Sequence, residues 1–348
     1  MQKKLSNFIR RNLVFLTNII QTIGIPYSAL VSIVFGLMIV SFPIGAYVVF
    51  HSEIGDNIDF GFPMEKFDIF IAGINMQIPF EYQLGDAFIV TWCLFVILFS
   101  IAIIGPKKNF LKSISELLIK EKNLTDENYL VTIIKWFSVI VLLSGIINFL
   151  QQSFGIAIDP PESTNHLILF LAVAIAPITE EIGFRVILIG IPLFLIYSFR
   201  SSVSSFFHTL WHPYKNLHIV DKKKVILLIV LVGIFFGAAH IISGEPWSTG
   251  KFAQATISGI IIGWVYYRYG LITALLIHWA TNYFIFSYVF AISEINSISV
   301  ESAISHTMIG TLEIILVVTG IVSISIIIMN FLNSKNENEN EANKTEIL

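Results

Sequence analysis

Charge is scarcest in this sequence. Asp, Glu, Lys and Arg make up 13% of its 348 residues, roughly half the share of about 25% found in soluble domains. With 55% of residues hydrophobic and a mean hydropathy of +0.79, the chain does not read as a soluble protein. Cysteine is nearly absent: Cys93 stands alone in an apolar run, which excludes an intramolecular disulfide scaffold and a cysteine-cluster metal site. It reads as a small apolar residue. A basic surplus is missing too, since 21 Lys and Arg face 24 Asp and Glu for a net charge of -3, so nucleic acid is not an expected partner. Alternating ten-residue segments are also lacking, which excludes an outer-membrane barrel.

What the sequence has in quantity is uncharged apolar sequence in stretches of about 20 residues, the length a helix needs to cross a hydrocarbon core of about 30 Å. The basic start, Lys3, Lys4, Arg10 and Arg11, resembles a signal peptide, but the apolar run behind it is too long for one. The expected fold is all-α, a polytopic membrane bundle of about eight helices. The windows are Tyr27 to Phe50, Ala87 to Ile104, Val131 to Leu150, His166 to Phe199, Val225 to Ile242, Phe252 to Tyr267, Leu271 to Phe290 and Met308 to Leu332. The fourth carries Pro177 and Pro192 and reads as one broken span.

Loop charges test that count, because Lys and Arg concentrate on the cytoplasmic side. Lys107, Lys108, Lys112, Lys120 and Lys122 fall in the loop after the second window, and Arg200, Lys215 and Lys222 to Lys224 in that after the fourth. The intervening loops hold little positive charge, and residues 51–86 are acidic. The alternation predicts eight crossings with both termini cytoplasmic. Residues 1–150 carry no usable motif, residues 151–332 hold the polar interruptions, and the Asn/Glu/Lys-rich tail 333–348 reads as a disordered cytoplasmic segment.

Ionisable residues inside spans default to functional hypotheses, since each costs about 2.5 to 3.5 kcal/mol on insertion scales. The fourth window contains Glu180, Glu181 and Arg185 within six residues. Glu181 and Arg185 are four apart with the acid amino-terminal, the favourable order for a helical ion pair. Glu180 points about 100° away and is the carboxylate left for chemistry. Pro177, one turn earlier, frees a backbone carbonyl, which at membrane depth requires protein or a wet cavity beside it. His240 follows Phe236 by four residues in the fifth window, with Gly237, Ala238 and Ala239 between them to admit a neighbouring helix. His278 and Asn282 are four apart in the seventh. Each feature alone is compatible with helix packing. Together they supply a base, a partner for it and donors for developing negative charge. Gly259 and Gly263 read as a helix contact.

These three elements, Glu180-Glu181-x-x-x-Arg185, Phe236-x-x-x-His240 and His278-x-x-x-Asn282, resemble the motifs of the CPBP intramembrane protease family, which includes the type II CAAX prenyl endopeptidases and bacteriocin-immunity-like proteins. The resemblance covers about Leu167 to Phe290, with Val186 where many relatives have glycine. It implies an eight-helix intramembrane endopeptidase acting on a membrane-associated or lipidated, for instance prenylated, substrate. Glu180 and His240 would then activate water, His278 and Asn282 would stabilise the oxyanion, and Glu181, Arg185 and Phe236 would support the site.

Two histidines and a glutamate could also make a three-ligand zinc site. No His-Glu-x-x-His pair is present and asparagine is a poor zinc ligand, so a metal-free reading is favoured and zinc is the alternative. Competing functions are a proton- or cation-coupled transporter and a catalytically silent immunity or scaffold protein. Counting helical rise from the span ends puts Glu180 and His278 about 10 Å below the cytoplasmic surface and His240 about 24 Å below it, a mismatch that requires a tilted or lowered fifth span.

Overall fold

The structure is a computed structural model that describes residues 2–51, 58–71, 74–119, 128–158, 165–198, 202–219, 221–242 and 248–345. The chain opens with α1 (Gln2–His51), followed by an antiparallel hairpin of β1 (Pro63–Ile71) and β2 (Ile74–Gln83), then α2 (Leu84–Ile104), α3 (Phe110–Ile119) and α4 (Tyr129–Ser153). After α5 (His166–Glu180) the helix continues as a π-helical segment, Glu181–Gly190, and then as α6 (Ile191–Ser198). Two short helices, α7 (Val203–Trp211) and α8 (Pro213–Asn216), lead to α9 (Lys222–Ile242) and α10 (Lys251–Tyr269). Next, α11 (Leu271–Trp279) passes through a second π-helical segment, Ala280–Phe284, into α12 (Ile285–Asn296); α13 (Val300–Ile304) and α14 (Thr307–Thr345) complete the order.

Among the described residues, seven helical stretches are long and apolar enough to cross a membrane: Gly24–His51, Leu84–Ile104, Tyr129–Ser153, His166–Ser198, Lys222–Ile242, Leu271–Asn296 and Thr307–Leu332. The chain is therefore a polytopic helical bundle. His166–Ser198 is one span of 33 residues, as the loop charges required. The expected eighth, Phe252 to Tyr267, forms a helix inside α10, but its polar positions, among them Gln254, Thr256 and Ser258, leave it short of the apolarity of the other seven.

Two features stand beside these expectations. The fold is not purely helical: in the acidic loop after the first span, Ile71 pairs with Ile74, Ile69 with Met76 and Phe67 with Ile78. Apolar residues alternate with others along β2, at Ile74, Met76, Ile78, Phe80 and Tyr82, the period of a strand. Reading the segment for charge alone hid that alternation. The second is the length of α14, which runs on to Thr345. Residues 333–345 hold no glycine or proline to stop a helix already propagating from the membrane span.

Capping asparagines fix where spans begin. Asn128 Oδ1 accepts from the backbone N–H groups of Leu130 at 2.8 Å and Val131 at 3.3 Å, and Asn165 caps α5 in the same way. Asn128 Nδ2 also donates to the carbonyls of Ile103 and Lys108, tying the end of α2 to the start of α4. Inside, an aromatic wall joins four spans. Phe42 of α1 stacks on Trp279 at 5.2 Å, Phe99 of α2 meets Trp279 edge-on at 4.9 Å, and Phe170 of α5 stacks on Tyr283 at 5.3 Å. Outside, large apolar side chains such as Val90, Leu231 and Ile314 are 69%, 56% and 65% exposed, a surface suited to lipid.

Candidate active site

Every ionisable candidate sits where regular helix ends or changes pitch. Glu180 is the last residue of α5 and Glu181 opens the first π-helical segment. His240 lies in the last turn of α9, and His278 is two residues before the second π-helical segment, which contains Asn282. Single stretches of π-helix are rare and concentrate at functional sites, because the extra residue per turn re-aims side chains.

Arg185 Nε lies 3.1 Å from Glu181 Oε2, and both side chains are shut off from the surface, at 1% and 0% exposed. The i,i+4 pair read from the sequence is thus formed. The guanidinium also lies over the ring of Phe236, 4.4 Å from its centroid, a cation–π contact. Phe236 meets His240 edge-on at 4.5 Å, His278 at 6.0 Å and Phe184 at 5.0 Å. One aromatic ring therefore spaces the guanidinium and both imidazoles.

His278 joins the two glutamates. Its Nδ1 is 2.8 Å from Glu181 Oε1, within hydrogen-bond range, and its Nε2 is 3.7 Å from Glu180 Oε2. A carboxylate only accepts, so Nδ1 carries the proton and Nε2 is the atom presented to Glu180. The gap of 3.7 Å is too long for a direct bond, but one water oxygen at about 2.8 Å from each group would span it. Glu180 Oε2 is buried and meets no hydrogen-bond donor among the described residues. Buried carboxylate oxygens rarely stay unsatisfied.

His240 is oriented in a parallel way. Its Nδ1 lies 2.8 Å from the carbonyl oxygen of Phe236, one turn earlier. A carbonyl also only accepts, which leaves Nε2 with the lone pair in the neutral ring. His240 is close enough to Glu180 and His278 to interact with both electrostatically. The mismatch in counted depth therefore reflects α9, whose start is not level with the other span ends or whose axis is inclined. Asn282 is half-buried, and its Oδ1 lies 3.4 Å from Thr281 Oγ1, which itself donates to the carbonyl of His278 at 2.8 Å. The π-helical segment begins between His278 and Asn282, so their four-residue spacing is not that of a plain α-helix face.

Close helix approach holds this geometry. A Cβ on Gly237 would meet the carbonyl oxygen of Phe252 at 2.8 Å and the hydroxyl of Thr256; one on Gly259 would meet Phe236 Cδ1 at 2.9 Å. Gly263 faces Ile229 and Ile189, both at 3.2 Å. These glycines are the contact between α9 and α10 that the small residues around His240 and the Gly259/Gly263 spacing led one to expect.

Zinc is the alternative cofactor that the sequence leaves open. Among the described residues no group of three or more His, Cys, Asp or Glu side chains is arranged to hold a metal ion.

The sequence reading passed over one neighbour. Lys251, the first residue of α10, interacts electrostatically with Glu180 and His240. It fell in a loop by hydropathy, and only the Gly237 contact, a three-dimensional fact, brings it to the site.

Fold and site together define a polytopic helical membrane protein with a buried carboxylate and imidazole centre. Residues 162–284, a span holding every candidate above, match the model of the family described as Type II CAAX prenyl endopeptidase Rce1-like. The match supports an intramembrane protease. No curated protein and no solved structure matches the chain.

Proposed function

We propose that this chain is an intramembrane endopeptidase that hydrolyses a peptide bond of a membrane-associated substrate, using water activated by Glu180 and His240. The observation that carries the reading is the buried, unsatisfied Glu180 Oε2, 3.7 Å from His278 Nε2. That gap is where a water and a scissile carbonyl would meet. Glu180 takes a proton from the water as its oxygen bonds to the carbonyl carbon, with His240 Nε2 sharing that proton. The carbonyl oxygen becomes an oxyanion. With Nδ1 bound to Glu181, His278 turns Nε2 toward the oxyanion, and the side-chain amide of Asn282 donates to it. The proton then passes to the amide nitrogen, the C–N bond breaks to give a carboxylic acid and an amine, and the acid gives its proton to the amine as the two products leave. No step needs a metal. Glu181, Arg185 and Phe236 hold His278 and the helix ends in place.

The resemblance favours a lipidated substrate, prenylated chains included, and the loop charges favour both termini facing the cytoplasm. The test is cleavage of prenylated, acylated and plain peptides by purified protein in liposomes, by the wild type and by Glu180→Gln, with and without chelator. The reading expects chelator-resistant cleavage that Glu180→Gln abolishes in a folded protein. Absence of cleavage by both chains would favour a silent scaffold, and equal cleavage by both would remove Glu180 from the mechanism.

A further inference from the structure

The connection between the spans His166–Ser198 and Lys222–Ile242 carries a helix that belongs to neither. In α7, Val203, Phe207 and Trp211 recur every four residues and are 75%, 63% and 48% exposed, with Ser204 and His208 exposed beside them. An apolar stripe next to a polar one is the pattern of a helix lying in the membrane surface, and tryptophan suits that level. α7 and α8 are clamped to the end of α10. Tyr266 Oη donates to the carbonyl of Leu210 at 2.7 Å, and Asn216 Nδ2 donates to the carbonyls of His208 and His212 at 2.9 Å. Gly270, at φ +95°, lets the carbonyl oxygen of Trp211 come within 2.8 Å of where a Cβ would stand.

Two cations meet at this corner. Arg268 lies in the last turn of α10, three residues before the span that begins at Leu271, and its guanidinium sits over the ring of Tyr214, 3.9 Å from the centroid. Lys215, exposed, follows Tyr214 in α8. A ring contact holds the guanidinium by its face and leaves the N–H groups round its edge, the fork that takes a phosphate in two bonds. Among the described residues neither cation is in an ion pair. The acids of the flanking connections are taken, Glu116 by Lys108 at 2.6 Å and Asp221 by Lys224 at 3.9 Å. A third cation, Lys107 after α2, bears on Lys215, whose ammonium is pushed below its ordinary value by partial burial and then by that charge. Like charges gathered without an acid favour an anion between them.

We propose that this corner binds the headgroup of an anionic phospholipid, Arg268 gripping its phosphate, Lys215 adding charge, and the stripe of Val203, Phe207 and Trp211 lying along the acyl chains. None of these residues belongs to the candidate active site, and lipid binding here does not depend on hydrolysis.

Native mass spectrometry of the full chain, titrated in detergent with phosphatidylglycerol, phosphatidylcholine or inorganic phosphate, tests this. The wild type should retain one phosphatidylglycerol in preference to phosphatidylcholine. Arg268→Gln and Lys215→Gln should each weaken phosphatidylglycerol binding about fivefold, and the double variant about 30-fold. Phe207→Ser should weaken both lipids alike, and Lys112→Gln, at an exposed lysine of α3, should change neither. Equal retention of the two lipids by the wild type, a double variant that binds like the wild type, or a loss in Lys112→Gln as large as that in Lys215→Gln would overturn the proposal. Displacement of the lipid by an equal concentration of inorganic phosphate would assign the corner to a free anion and overturn it too. If Arg268→Gln does not fold, Lys215→Glu on the surface of α8 carries the comparison: it should weaken phosphatidylglycerol more than phosphatidylcholine, and equal losses for the two would overturn the proposal.

Discussion

His278 donates through Nδ1 to Glu181 at 2.8 Å while its Nε2 faces Glu180 at 3.7 Å, so one imidazole reads both members of the adjacent glutamate pair. The two carboxylates are neighbours in sequence with different surroundings. Glu181 is enclosed by Arg185 and His278, and Glu180 keeps an oxygen with nothing to bond among the described residues.

Arg185 is the first place this arrangement can be tested. Arg185→Met removes the guanidinium and leaves Glu181 buried opposite no fixed cation, a loss of about 3–5 kcal/mol for a broken buried pair. Thermal unfolding in detergent should show a large fall in the midpoint. The double change Glu181→Gln with Arg185→Met should recover part of it, because the uncompensated charge is gone.

His278→Gln keeps a donor near Glu181 and removes the Nε2 that faces Glu180. Activity is expected to fall by about 10²–10⁴-fold, the span of one acid–base or oxyanion group, with the unfolding midpoint within a few degrees of wild type. A drop in stability matching the drop in rate would assign His278 to packing instead.

Gly237 and Gly36 make a matched pair. Gly237→Ala places a methyl against the Phe252 carbonyl and Thr256, whereas a Cβ on Gly36 meets nothing within 4 Å. Overpacking costs about 1–3 kcal/mol, and removing a mid-helix glycine gains about 0.5–1 kcal/mol. Gly237→Ala should therefore lower both stability and cleavage, because α10 moves off α9. Gly36→Ala should leave cleavage alone and raise the unfolding midpoint slightly.

Outside the spans, burial pushes the His212 imidazole down from 6.5 to about 4, with Lys215 and Arg268 adding repulsion. Between those values the unfolded chain binds the proton and the folded chain does not, so stability is full above about pH 6.5 and falls as pH drops toward about 4. Unfolding midpoints measured across that window should decline in the wild type, and His212→Gln should flatten that part of the decline. A parallel slope in the variant would remove His212 from the account.

Much of the site was legible from spacing alone. The Glu181 and Arg185 pair follows from i,i+4 geometry, and the tight contact at Gly237 and Gly259 from small residues recurring on one face. What spacing could not give was the direction of each histidine. The bond from His278 to Glu181 spans 97 positions of sequence, and the helix pitch changes just after Glu180 and just after Trp279. Lys251 was hidden for a related reason: its nearness to Glu180 and His240 comes from where α10 begins against α9. The hairpin was missed because its acidic residues drew attention away from the period-two apolar positions between them. The count of eight spans differs from the seven found through α10, whose polar residues dilute its hydropathy.

The central claim is that Glu180 turns a water into the nucleophile at a peptide bond. The most direct measurement is mass spectrometry of the products formed from a cleavable lipidated peptide in water enriched in ¹⁸O. The account predicts one ¹⁸O in the new carboxylate from the wild-type protein and no product from a folded Glu180→Gln. Product of the same mass formed at the wild-type rate by Glu180→Gln would contradict it.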